Sequence, residues 1–225
     1  MHRRSRRGHR VRIGLFGGTF NPVHAAHLRA AEEVRERCSL DRVEFVVSAV
    51  PPHKNASGVA PAEHRRHMLE LALEDNPAFV VNTSEIERAG RSYSIDTILA
   101  AQARTSAAHF TFVLGADAFA EIESWKRFDE IFARCDVAVL SRPGVTIERP
   151  PIAVEKAFCY DSDRRVYVHA SGNALAFVPI TPLMISASDI RQRCADGRSI
   201  RYLVPRAVEE YIAAHGLYVG RAAAS

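Results

Sequence analysis

The chain is 225 residues long, 47% hydrophobic, and carries a formal net charge of +4. That length fits one large domain with a substantial core, and no apolar run approaches the roughly 20 residues that a membrane-spanning helix needs. The positive charge belongs to one end: residues 1–12 hold six arginines and no acid, and the remainder is net −2.

That end, "MHRRSRRGHRVR", lacks the apolar stretch of a signal peptide. Residues 1–10 are expected to form a solvated, disordered tail, with weak nucleic-acid contact as the alternative. "VRIGLF" (11–16) has the pattern of a strand, and "HAAHLRAAEEVRERC" (24–38) that of a helix. "RVEFVVSAV" (42–50) is the next strand. "PAEHRRHMLELALED" (61–75) is a helix with Pro61 at its start. "FVVNTSEI" (79–86) is expected as a strand, and "SIDTILAAQAR" (94–104) as a helix capped by Ser94. "HFTFVLGAD" (109–117) is a strand entering a turn, "WKRFDEIFARC" (125–135) a helix, and "DVAVLSR" (136–142) a strand ended by Pro143 and Gly144. The Pro-rich, charged residues 145–165 suggest a loop or an insert, and 166–181 one or two more strands. "SASDIRQRCADG" has Ser and Asp in capping-box spacing and stops at Gly197, and "PRAVEEYIAAHG" runs from Pro205 to Gly216.

Strands that alternate with helices and are rich in β-branched residues indicate an α/β fold. Its parallel sheet is doubly wound, with helices on both faces and C-terminal helices closing the chain. Residues 11–219 read as a single domain, followed by a short tail at 220–225. Cys38, Cys135, Cys159 and Cys194 form no CxxC pair. Scattered thiols suit a reduced, cytoplasmic protein, in which each is expected as a small buried hydrophobe.

The stretch "GGTFNPVHAAH" (17–27) concentrates the chemistry. A turn leaving the C-terminal end of the first parallel strand lies where open α/β sheets bind ligands. The helix after it should offer free N–H groups and a positive dipole end, which suit phosphate. Gly17 and Gly18 would let backbone approach a ligand closely. His24 and His27, if both helical, would share a face about 5–6 Å apart. The stretch is neither GxGxxG nor a P-loop. No Cys or HExxH context completes a zinc site around the His pair, and "HRRH" (64–67) shows that the spacing alone is weak.

"GGTFNPVHAAH" resembles the first signature of the nucleotidylyltransferase superfamily, and "ISASDIR" (185–191) resembles its second. These two motifs would also suit phosphopantetheine adenylyltransferases and small cytidylyltransferases. "PPHK" (51–54), "RSYSIDT" (91–97), "GADAFAEIESWKRFDEI" (115–131) and "YLVPRAVEEYIAAHGLY" (202–218) narrow the resemblance to bacterial nicotinate-mononucleotide adenylyltransferases. It covers about residues 11–219 and implies a Rossmann-like fold. The implied reaction joins ATP to nicotinate mononucleotide, giving deamido-NAD and pyrophosphate. The nucleophile, a phosphate oxygen, is already anionic, so no general base is called for; the task is to position two polyanions.

The resemblance also implies residue roles. His24, His27 and Arg191 would act on the phosphates at the reacting centre. Gly17, Gly18, Thr19, Phe20, Gly115, Asp117, Ile185, Ser186 and Ser188 would bind ATP. His53, Lys54, Tyr93, Ser94, Trp125 and Lys126 would bind the mononucleotide, with Trp125 stacked on the nicotinate ring. Mg²⁺ would arrive with ATP, with no dedicated protein cage. Partners would be ATP and nicotinate mononucleotide, without membrane or nucleic acid, and the sequence leaves a homo-oligomer open. Ala26 stands where the family has Gly, Asn21 where Asp is common, and Ser188 where Thr is usual. A nucleotide-binding regulator without turnover is the alternative from another class.

Overall fold

The computed structural model describes residues 10–49, 58–88, 92–141 and 149–219. Most of the basic tail, the 220–225 tail, and His53 and Lys54 lie outside the described residues. In chain order the elements are β1 (Arg12–Gly18), α1 (Ala25–Arg37), β2 (Arg42–Val47), α2 (Ala62–Leu73), β3 (Phe79–Asn82), α3 (Ser84–Glu87), α4 (Ser94–Arg104), β4 (His109–Gly115) and α5 (Ala116–Ala120). A short 3₁₀ turn over Ile122–Ser124 follows. Then come α6 (Phe128–Arg134), β5 (Asp136–Ser141), α7 (Ile152–Glu155), β6 (Phe158–Asp161), β7 (Val166–His169), β8 (Ala174–Pro179), α8 (Ala187–Ala195) and α9 (Arg206–Ala214).

The strands form one sheet in the order β3-β2-β1-β4-β5-β8-β7-β6. The first six of these are parallel. Chain direction reverses where β2 and β4 flank β1, so a crevice opens beyond the C-terminal ends of β1 and β4. Alternate strand residues feed opposite faces. Phe16, Phe45 and Val113 join α1, α2 and α9 through Ala31, Met68 and Val208. Ile13, Leu15, Phe110 and Phe112 join α4 and α6 through Ile95, Ile98 and Ile131. The sheet is therefore covered on both faces, and this is why its strands read as near-continuous apolar runs. No helix among the described residues is long and apolar enough to cross a membrane.

The structure corrects several expectations. The sheet is not wholly parallel, because β6, β7 and β8 form an antiparallel meander at one edge. Residues 145–165 are accordingly more than a loop: α7 and β6 lie within them. The strand expected over 79–86 stops at Asn82, whose side chain accepts from the Ser84 N–H at 3.0 Å and turns the chain into α3. The helix expected from Trp125 begins only at Phe128, after Arg127 takes a left-handed conformation (φ 53). Of the cysteines, Cys135 alone is fully buried, and burial pushes its thiol up to about 12; Cys159 is exposed.

One buried carboxylate ties three elements together. Glu44 on β2 accepts from Arg42 at 2.9 Å, Asn82 at 2.7 Å and Arg104 at 2.5 Å. Removing it would leave the buried Asn82 amide without its acceptor, while both arginines could turn toward solvent. Glu44→Ala is therefore expected to lower stability by about 1–3 kcal/mol, measured as a shift of the urea midpoint at unchanged slope.

Candidate active site

The turn between β1 and α1 is shaped by its own side chains. Gly18 is required by Phe20: a Cβ there would come within 2.7 Å of the Phe20 ring. Phe20 itself has φ 46 and is buried, with its ring 5.9 Å from Phe16 and 5.2 Å from His27. Gly17 has open space where a Cβ would be. Packing therefore accounts for Gly18 and does not constrain Gly17. A cis Asn21–Pro22 bond follows.

His24 is not helical. It is the N-cap of α1 in extended conformation, and its ring stacks on His27 with centroids 3.6 Å apart. The His24 backbone N–H donates to His27 Nδ1 at 3.3 Å. An accepting Nδ1 leaves the proton of a neutral ring on Nε2. The helix start offers less than expected, because the Ala25 N–H is already given to the Leu203 carbonyl at 2.9 Å.

The turn is held from behind by two guanidinium groups. Arg65 on α2 is 1% exposed. It donates to the carbonyls of Ala60 at 3.0 Å, Thr19 at 2.9 Å and Ala49 at 3.1 Å. Arg191 donates to the Asn21 carbonyl at 2.8 Å. It lies in the second turn of α8 rather than the first, so the start of α8 does not place its charge. The Asn21 side chain accepts from the Ala60 N–H and the Tyr218 hydroxyl, and donates to the Gly58 carbonyl. Burial pushes the Tyr218 phenol well above its usual range, and nearby Arg191 and Arg65 offset this only in part.

Two cavities open beyond these strand ends. One, of 340 Å³, is lined by Gly17, Gly18, Thr19, Ser92, Tyr93, Ser94, Trp125 and Lys126, among others. The other, of 430 Å³, is lined by Phe16, Ala26, His27, Asp117 and the 180–186 stretch. Gly17 and Gly115 line both. Two ligand-sized hollows therefore meet over the ends of adjacent parallel strands, with an imidazole on the wall of the second.

Comparison with known proteins agrees with this geometry. The family described as cytidylyltransferase-like matches residues 15–193. A Syntrophotalea carbinolica protein named "Probable nicotinate-nucleotide adenylyltransferase" is 44% identical over 212 residues, covering 92% of this chain and 97% of its own. A Citrifermentans bemidjiense protein of the same name is 46% identical, covering 93% and 99%. The chain belongs to the cytidylyltransferase-like family, among the nicotinate-nucleotide adenylyltransferases. The solved structure of Plasmodium falciparum nicotinic acid mononucleotide adenylyltransferase complexed with NaAD shares the fold, with a TM-score of 0.71 at 16% identity over 92% of this chain and 97% of that one.

In this adenylyltransferase the expected residues fall into groups. Gly17, Gly115, Asp117, His27, Ile185 and Ser186 surround the larger cavity, and a Cβ on Gly115 would meet Asp117 Oδ1 at 2.5 Å, so that the Asp117 side chain would have to turn away. Gly18 and Thr19, expected at ATP, line the smaller cavity instead, while Phe20 and His24 are buried beneath the turn. Ser186 caps α8, accepting from the Asp189 N–H at 3.2 Å, and Ser188 contacts Ser186 at 3.1 Å. Tyr93, not Ser94, is the N-cap of α4, and Ser94 is its first residue. Trp125 is half-buried, packs against the core beside Phe112 and also lines the smaller cavity. Lys126 lies 4.5 Å over the Tyr93 ring and pairs with Asp96 at 3.0 Å.

Several residues escaped sequence reading. Glu33 on α1 accepts from Arg29 at 2.7 Å and from the Thr181 N–H at 2.9 Å, pinning the wall of the larger cavity. Burial opposes its ionisation, but these bonds hold its carboxyl below the usual range. Ser48, Glu85 and Ser92 line the smaller cavity. Ser48 sits just past the end of β2, next to β1, so the strand-end rule could have found it. Arg65 gave no signal at all, since an arginine in "HRRH" reads as solvated surface.

The Arg65 contacts generate a prediction. Lysine has one ammonium and cannot span three carbonyls in a fixed plane. Arg65→Lys should fold, yet lower kcat by about tenfold or more with a smaller change in KM, because a misplaced turn costs transition-state alignment. Unchanged kcat in a folded Arg65→Lys protein would remove the positioning role.

Proposed function

We propose that this chain transfers the adenylyl group of ATP to nicotinate mononucleotide, giving nicotinate adenine dinucleotide and pyrophosphate. The observation that carries the proposal is the pair of cavities meeting at Gly17 and Gly115, with His27 on the wall of the larger one. ATP would lie in the larger cavity and the mononucleotide in the smaller. A mononucleotide phosphate oxygen forms the new bond to the α-phosphorus, and the bond to pyrophosphate breaks. No proton moves at the nucleophile, so alignment and charge stabilisation do the work.

In this reading His27 Nε2–H donates to the phosphates, with His24 stacked behind it to hold the ring. Arg191 spends one N–H on Asn21 and keeps the rest of its donors for the β and γ phosphates, together with Ser186. Gly115 and Asp117 face the adenosine. Trp125 covers the nicotinate ring, and the free N–H groups opening α4 at Ser94 receive its carboxylate. Asp96 would repel that carboxylate, but Lys126 neutralises it. Enzymes of this kind use ATP with a divalent metal. Among the described residues no group of three or more His, Cys, Asp or Glu could hold one. The metal would be Mg²⁺ arriving with the nucleotide and keeping several waters.

Two measurements test the proposal. His27→Ala should keep the fold by circular dichroism and lose about 10²–10³ in kcat, the usual effect of deleting a transition-state donor. Normal turnover would remove His27 from the mechanism. The second is pyrophosphate release with ATP and a panel of mononucleotides. The nicotinate form should exceed the nicotinamide form by about tenfold or more in kcat/KM, because an amide NH₂ would face N–H donors and charged hydrogen bonds are the stronger. Equal values would overturn the carboxylate site, and no release with any acceptor would overturn adenylyl transfer.

A further inference from the structure

A third cavity, of 280 Å³, lies at the opposite end of the same parallel strands. It is lined where β1, β5 and β8 begin and where α1 ends, and three arginines, Arg12, Arg37 and Arg164, are on its wall. Asp136 is the only carboxylate among the lining residues. Its oxygens are engaged by His109 at 2.7 Å and by the Ala174 N–H at 2.8 Å. Arg12 and Arg37 form no ion pair among the described residues, and Arg164 has only a 3.9 Å contact with Asp161. The cavity therefore carries more guanidinium charge than its single carboxylate balances. The carbonyl end of α1 contributes roughly half a negative charge against this, which does not reverse the sign.

Two buried polar atoms point the same way. Thr111 on β4 is 2% exposed, and its hydroxyl has no hydrogen-bond partner among the described residues. The Arg12 Nε–H is buried and equally without an acceptor. Buried polar groups are nearly always paired, and leaving one unpaired costs about 1–3 kcal/mol. Both residues line the cavity, and a turn of either side chain would bring its donor to an oxyanion there. Guanidinium forks match the oxygens of a phosphate group, which accepts from several donors at once.

We propose that this cavity is a second anion site, separate from the catalytic cavities, that takes a phosphate group, either inorganic phosphate or a small phosphomonoester. β1 links the two ends: Arg12 opens the strand at this cavity and Gly17 closes it at the catalytic one. Across the five steps from Arg12 to Gly17 the separation is about 17 Å, so one anion cannot occupy both.

The test is a calorimetric titration of inorganic phosphate, and separately of ribose 5-phosphate, into the full chain. An ATP analogue with a non-hydrolysable α,β-bridge and nicotinate mononucleotide are present throughout to fill the two catalytic cavities. Wild type should show one saturable site for at least one of the two, whichever binds more tightly marking the source. The double variant Arg37→Ala/Arg164→Ala changes only exposed side chains and should bind at least about tenfold more weakly. Thr111→Val, which keeps the shape and removes the hydroxyl, should weaken binding about tenfold. His27→Ala should bind as wild type does. Absence of saturable binding in wild type, equal binding in the double variant, or the same heat from sodium chloride at matched ionic strength would each overturn the proposal.

Discussion

The buried guanidinium of Arg65 is the constraint on which the site depends. It joins Thr19 in the β1–α1 turn, Ala49 beyond β2 and Ala60 before α2. All three acceptors are carbonyls, so the charge is solvated by protein dipoles and is not cancelled by a carboxylate. Burial lowers this guanidinium from its usual value, but not enough for an arginine to lose its proton. Such a cation is costly to bury unless every donor is satisfied. It is tolerated because the same bonds close a turn that the chain would not otherwise hold, with Phe20 in a left-handed conformation. Asn21 extends the clamp to Gly58, Ala60 and Tyr218, and Arg191 reaches the Asn21 carbonyl from α8. Elements from the beginning, middle and end of the chain thus converge on six residues.

This arrangement explains why the turn is rigid without being filled. The carbonyls of Thr19 and Asn21 face guanidinium groups on the protein side. In a trans peptide the C=O and N–H point in opposite directions, so holding the Thr19 carbonyl aims the Phe20 N–H away from Arg65. Pro22 contributes no N–H at all. Gly17, with no side chain and nothing near its absent Cβ, lines both cavities above this base. A larger residue there would place a wall where the two ligands are proposed to meet.

How much of this was legible in the sequence depended on the range of the interaction. The parallel core, the α4 and α8 boundaries and the glycine stops at Gly197 and Gly216 follow from periodicity and capping, which are local. Both glycines do adopt positive φ. β7 and β8 fall within the one or two strands expected over 166–181, whereas β6 was missed because this short strand lies at the sheet edge and alternates weakly, so composition mimics a loop. The shape of the β1–α1 turn was missed for a different reason. Gly18 answers to a ring two residues on, His24 to a partner three residues on, and Ala25 to a carbonyl at Leu203. Helical spacing predicted two imidazoles side by side on one face. Instead an extended N-cap stacks them, because the chain has not yet entered the helix at His24.

The same distinction governs the charges. Most of the ion pairs among the described residues link residues three or four apart, several of them exposed pairs on one helix such as Arg206 with Glu210; pairs of this kind contribute little. The charges that matter structurally are few, buried and non-local: Glu44, Glu33 and Arg65. Each is held by hydrogen bonds from two or more segments rather than by one opposite charge. Glu33 and Arg65 both end at walls of the proposed catalytic cavities, through Thr181 and Thr19. A reaction between two polyanions needs fixed dipoles and donors that do not reorganise as charge moves. Anchoring the walls through buried ionised groups meets that need, since any shift of a wall would expose an unpaired charge to a low-dielectric interior.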